Sequence, residues 1–214
     1  MTDFNRAQLY LITPPKLDMT RFPDILGRTL DAGRIGCVQL RLKDTPEDDI
    51  RRAIDTLRPI TQDRGVAFLL NDDPAMAAET GCDGVHVGQE DMIYRDAREI
   101  VGPDAIVGVT CHDSRHLAME AAEQGASYVA FGAFYPTGTK DAKAHSDPEI
   151  LNWWSEDMVV PAVAIGGITV DNCTPLIAAG ADFLAVIAGI WDYEEGPEKA
   201  VSVFNTIISQ TPRA

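Results

Sequence analysis

Asp72 and Asp91 stand 19 residues apart, each in a polar turn that follows a short apolar run. Residues 67–70 lead into Asn71-Asp72, and residues 84–87 lead into a turn carrying Glu90-Asp91. Between them lies DPAMAAET, which has helical composition and stops at Gly81. That is one strand–helix–strand step. If the strands are parallel neighbours, the two carboxylates emerge side by side at one edge of a sheet. Negative groups converging there repel unless a cation sits between them. Magnesium suits the place, because it takes one or two carboxylates together with waters and phosphate oxygens. Helix capping is the competing use of a carboxylate just after a strand, and Asp72 precedes Asp73-Pro74.

Cations and glycines gather at other apolar runs. In CVQLRLK the residues Gln39, Arg41 and Lys43 alternate with apolar ones and share a face. A parallel sheet is normally covered on both faces, so a polar face suggests the lining of a site. Further runs end on Thr110, on Thr137-Gly138-Thr139-Lys140, on Gly166-Gly167 and on Ile187-Ala188-Gly189. Arg41, Lys43 and Lys140 are forks and point charges for phosphate oxygens. Glycine turns offer bare backbone N–H groups to a dianion. The inventory describes two anion sites, one metal-assisted and one made by backbone. Taken singly, each piece also has a plainer use: IGGI as tight packing, TGTK as an exposed loop, Trp153-Trp154 as helix packing.

These residues need a scaffold that brings the ends of several strands together. Apolar runs at 8–13, 37–42, 67–70, 84–87, 106–110, 128–134, 162–165 and 183–187 read as strands. Helical patterns alternate with them at 22–32, 73–80, 91–100, 114–124, 148–155, 169–179 and 197–209. One more helix starts at Thr45-Pro46-Glu47-Asp48, with threonine as its capping hydroxyl, and runs to about Asp63. Such alternation implies right-handed parallel crossovers. Eight repeats in 214 residues fit a single (β/α)8 TIM barrel over 1–214 better than an open doubly wound sheet. The C-terminal strand ends of a barrel form its active face, which is where the chemistry-bearing residues fall.

With 33 acidic against 18 basic residues the net charge is −15, which argues against a nucleic-acid or anionic-membrane binder. No apolar run approaches the ~20 residues of a membrane span. The opening MTDFNRAQLYLIT lacks a basic segment followed by a secretory core, so a cytoplasmic protein acting on small-molecule substrates is expected. Cys37, Cys82, Cys111 and Cys173 form no CxxC pair and read as reduced, mostly buried thiols. His86, His112, His116 and His145 show no HExxH spacing; His112 and His116 could share a helical face, but no third ligand is near.

In this order and spacing, QLRLK (39–43), ND (71–72), GVHVGQED (84–91), VGVTCH (107–112), YPTGTK (135–140), AIGGI (164–168) and AGADFLAVIAGI (179–190) resemble the thiamine phosphate synthase family. The resemblance covers nearly the whole chain. It implies a Mg2+-dependent transferase on a (β/α)8 barrel, joining an aminopyrimidine diphosphate to a thiazole phosphate with release of pyrophosphate by dissociative displacement. Carried over by motif, Gln39, Arg41, Lys43, Asn71, Thr110 and Lys140 would hold the pyrimidine diphosphate. Of these, Lys140, Arg41, Lys43 and Thr110 would form the catalytic set. Asp72 and Asp91 would bind Mg2+, and Thr137, Gly138, Thr139, Gly167, Ile187 and Ala188 would hold the thiazole phosphate.

Two residues depart from the family pattern. Thr110 and Ala188 stand where serine is usual, and residues 141–156 are atypical. A thiazole tautomerase of the same barrel type is one rival, but it would not need Arg41, Lys43, Asp72, Asp91 and Lys140. A non-catalytic thiamine-phosphate sensor is another, supported only by Thr110 and Ala188. A sugar-phosphate isomerase would need a general base; His86 lies mid-strand and His112 could serve, but neither explains the diphosphate-and-metal set. Oligomeric state stays open, a homo-oligomer included.

Overall fold

The computed structural model describes residues 7–137 and 146–213, so Gly138, Thr139, Lys140 and His145 lie outside the described residues. The strands are β1 Gln8–Ile12, β2 Ile35–Leu40, β3 Ala67–Asn71, β4 Gly84–Val87, β5 Ile106–His112, β6 Tyr128–Gly132, β7 Ala162–Ile165 and β8 Phe183–Val186. Between and after them run α1 Phe22–Asp31, α2 Glu47–Gln62, α3 Pro74–Thr80, α4 Tyr94–Val101, α5 Arg115–Glu123, α6 Glu149–Asp157, α7 Thr174–Ala178, α8 Ala188–Trp191 and α9 Pro197–Gln210.

Each strand pairs in parallel with its sequence neighbours. β1 also pairs β8, with Gln8 opposite Phe183 and Leu11 opposite Val186, so the sheet closes into the expected (β/α)8 barrel. Strand residues alternate between two cores, as the period of two requires. Leu9, Leu11, Val38, Leu40, Phe68 and Leu70 face the helices. Tyr10, Ile12, Cys37, Leu69, Tyr128, Ala130, Val163 and Ala185 fill the interior. No helix among the described residues is long and apolar enough to cross a membrane.

Several element bounds differ from the sequence expectation, each for a local reason. β2 stops at Leu40 rather than 42, because the Arg41 N–H donates to Thr13 Oγ1 (3.0 Å) instead of to the ladder. Arg41 and Lys43 therefore stand in the turn beyond the strand, above Gln39. Thr45 does not cap α2: its hydroxyl donates to Lys43 O (3.3 Å), and the helix starts after Pro46 with Glu47, Asp48 and Asp49 in its first turn. α4 begins at Tyr94 instead of 91, since Asp91 Oδ2 accepts from Gly88 N (2.9 Å) and shapes the preceding turn.

α7 is shorter than expected because the Asn172 side chain holds the turn before it. Asn172 Oδ1 accepts from Thr169 N (2.8 Å) and Nδ2 donates to Gly167 O (2.9 Å). α8 is an element the sequence pattern did not reveal, and it brings the described helices to nine. His112 ends β5, so it shares no helix with His116. Trp154 is fully buried against Phe131 and donates to Val160 O (2.6 Å), which is helix packing. All four cysteines are free thiols.

Candidate active site

At the C-terminal end of the barrel lies a cavity of about 350 Å³. Every sequence-predicted site residue within the described part lines it. Gln39 rises from β2, and Arg41 and Lys43 follow from the turn beyond. Asn71 and Asp72 come from the end of β3, Asp91 from the β4 turn and Thr110 from β5. Thr137, Gly167, Ile187 and Ala188 close the opposite side.

The two carboxylates meet as their spacing suggested. Asp73 caps α3, its Oδ1 accepting from Met76 N (2.9 Å), and this leaves Asp72 available to the cavity. Asp72 sits in the left-handed region at φ 66°, with its N–H donating to His86 O (2.8 Å), so β4 pins its backbone. Aspartate tolerates that conformation better than most residues. Burial, then the neighbouring Asp91 carboxylate, push the Asp72 carboxyl above the usual range, against the pull of Lys43 Nζ at 3.4 Å from Oδ2. Two carboxylates in mutual reach, the charge on one opposed by burial and by the other, make a pair that a cation would relieve. The donors are oxygens only, and no third His, Cys, Asp or Glu joins them among the described residues. That set fits a hard cation completed by water and substrate oxygens.

Across the cavity the turn after β7 is built from backbone. Gly166 and Gly167 have φ of 102° and 64°, and a Cβ on Gly167 would stand 2.4 Å from Pro136 O. Only glycine permits so close an approach. Tyr135 clasps the same turn, its N–H donating to Gly166 O (3.1 Å) and its hydroxyl to Asn172 O (2.7 Å). Thr137 is thereby held on the Gly167 side, near where α8 starts at Ala188.

Sequence reasoning missed the polar row beneath the cavity. Gln39 Nε2 donates to Tyr10 OH (2.8 Å), Tyr10 OH meets Tyr128 OH (2.8 Å), and Tyr128 OH meets His86 Nδ1 (2.9 Å). His86 Nε2 then meets Thr110 Oγ1 (2.7 Å). Five strands supply these five side chains. Burial raises both tyrosine pKa values well above the usual, so both phenols stay neutral. The available signal was Gly108, in the middle of β5 and opposite Tyr128 in the register. A glycine inside a strand marks a close approach. Both His86 nitrogens are engaged in this row, which is not how a base awaiting a substrate proton is placed.

A family model described as thiamine monophosphate synthase matches residues 9–190. A thiamine-phosphate synthase of Rhodospirillum centenum is 62% identical over 208 residues, covering 97% of this chain and 99% of the relative. One of Hyphomonas neptunium is 48% identical, covering 94% of each. Among solved structures, a thiamine phosphate pyrophosphorylase of Pyrococcus furiosus superposes with a TM-score of 0.85 at 31% identity, covering 97% of this chain and 98% of the other.

Proposed function

The chain belongs to the thiamine monophosphate synthase family, and we propose that its barrel mouth joins an aminopyrimidine diphosphate to a thiazole phosphate, giving thiamine phosphate and pyrophosphate. It is a transferase acting on small molecules. The observation that carries the reading is the two-sided cavity: Arg41, Lys43, Asn71, Thr110, Asp72 and Asp91 on one side, the Gly166-Gly167 turn with Thr137 on the other. One side suits a diphosphate, the other a monophosphate. The tautomerase rival leaves the first side without a purpose.

In the reaction we propose, the bond between the pyrimidine methylene carbon and the diphosphate oxygen breaks, and the electron pair leaves with pyrophosphate. The thiazole nitrogen lone pair then forms the new C–N bond, and the positive charge ends on the thiazolium. Arg41, Lys43 and Lys140 stabilise the charge that builds on the leaving group, and Thr110 donates to it. Asn71 and Gln39 orient the diphosphate and the ring. The turn at Gly167, with Thr137, Gly138, Thr139, Ile187 and Ala188, holds the thiazole phosphate so that its nitrogen faces the methylene carbon. Asp72 and Asp91 would hold Mg2+, which when bound would supply further charge neutralisation for the diphosphate. No protein nucleophile takes part. We place the reaction in the cytoplasm.

The test is turnover with both substrates, with and without Mg2+, following pyrophosphate and coupled product together. Coupling that depends on Mg2+ is expected. Binding of either substrate without product would overturn the synthase assignment in favour of a sensor, and thiazole isomerisation alone would favour the tautomerase.

A further inference from the structure

The row under the cavity has a property that follows from counting protons. A phenol has one hydrogen and a neutral imidazole has one N–H, so each interior member can donate once along the row. Gln39 donates through Nε2 to Tyr10 OH. Tyr10 must then donate to Tyr128, and Tyr128 to His86 Nδ1. This leaves the His86 proton on Nε2, donating to Thr110 Oγ1, so that the hydroxyl hydrogen of Thr110, which lines the cavity, is left to serve a ligand there. Turning the Gln39 amide over would reverse every bond and make Thr110 a donor to His86 instead. An anion beside Thr110, in the field of Arg41 and Lys43, selects the first direction, because an anion needs a donor.

The far end of the row is set by the same choice. With Nε2 committed to Tyr10, Gln39 presents its carbonyl oxygen. Gln39 lines the cavity, so that oxygen is the atom of its amide left for a ligand there. We propose that the directed row Gln39–Tyr10–Tyr128–His86–Thr110 is a specificity device, coupling a phosphate at Thr110 to an acceptor at Gln39, so that the site takes a ring bearing an amino donor and rejects one bearing an oxo group. Tyr10, Tyr128 and His86 are positioning residues here, since they act through Gln39 and Thr110. The inference rests on the substrate class proposed above and deepens it.

Two measurements test it. Nitrogen NMR of His86 in the intact protein with inorganic pyrophosphate added should show Nε2 protonated and Nδ1 bare; the opposite tautomer overturns the proposal whatever the substrate is. Calorimetry should then compare the aminopyrimidine monophosphate with its oxo counterpart, neither of which carries the diphosphate leaving group. The parent is expected to favour the amino form by ~100-fold or more, since a site built to pair a polar group rejects the analogue that cannot pair. Tyr128→Phe keeps the ring and cuts the row, and it should bring that preference below ~10-fold while pyrophosphate binding changes little. An unchanged preference in Tyr128→Phe overturns the proposal. Failure of the parent to bind either pyrimidine would instead refute the substrate class, and the tautomer would still judge the row.

Discussion

Gly108→Ala tests whether the interior of the barrel is as tightly wedged as the Tyr128 contacts indicate. A Cβ at position 108 would lie 1.9 Å from Tyr128 Cζ and 2.3 Å from its hydroxyl oxygen. The ring would have to retreat by roughly 1.6 Å to reach the ~3.5 Å of a carbon–carbon contact. Tyr128 is buried, and its hydroxyl is fixed at 2.8 Å from Tyr10 and 2.9 Å from His86. Displacement on that scale leaves the hydrogen-bond range of about 2.7–3.2 Å. Overpacking costs about 1–3 kcal/mol, and a buried hydroxyl without its partner about 1–3 kcal/mol more. The gain from replacing a strand glycine is only about 0.5–1 kcal/mol. The net loss is about 1–5.5 kcal/mol, which for a domain of this size lowers Tm by roughly 2–22 °C. Urea and thermal unfolding followed by circular dichroism would measure it. Gly27→Ala in α1 is the control: its nearest neighbour is the Arg64 side chain at 3.5 Å, an ordinary contact, and it should not destabilise. A Tm for Gly108→Ala within about 2 °C of the parent would refute the wedge.

Other expectations concern the cavity and the thiols. Because Asp72 has a raised carboxyl pKa, its contribution to stability is fully present below the unfolded value of ~3.9 and is lost as pH rises through the folded value. In metal-free buffer at neutral pH, Asp72→Asn should therefore not lower Tm, while turnover with Mg2+ falls by more than ~10-fold; a destabilised but active variant would contradict the pairing. Lys43→Met removes a half-exposed ion pair at 3.4 Å, worth at most about 1 kcal/mol, yet turnover should drop by more than ~10-fold. Lys140→Ala should lose activity to the same degree, and parent-like turnover would refute its assignment. Burial pushes the Cys111 thiol up to about 12 and Cys173 to about 11. Alkylation of the native protein at mildly basic pH should spare both, with half-buried Cys82 reacting first by mass spectrometry.

Much of the site was legible because barrel topology gives strand ends a common address. Asp72 and Asp91 needed only one βαβ step to be placed together, and Arg41 and Lys43 reached the mouth even though β2 ended earlier than the alternation suggested. The glycine turn at 166–167 was readable as backbone chemistry. Tyr10 and Tyr128 were not, because 118 residues separate them and only the closed sheet brings their hydroxyls together. Their inward parity could be read, but not which inward residues meet. α8 escaped for a different reason: four residues directly after a strand carry too little periodicity to announce a helix. The bounds of α7 depended on one side chain, Asn172, which composition cannot weigh.

Asn172 stands outside the cavity lining and yet grips the turn that forms one wall, through Thr169 N, Gly167 O and the Tyr135 hydroxyl. The shape of that wall is thus written by a residue that lies behind it. Selection can reshape the wall there without altering any group that lines the cavity, and a redesign of the wall would begin behind it.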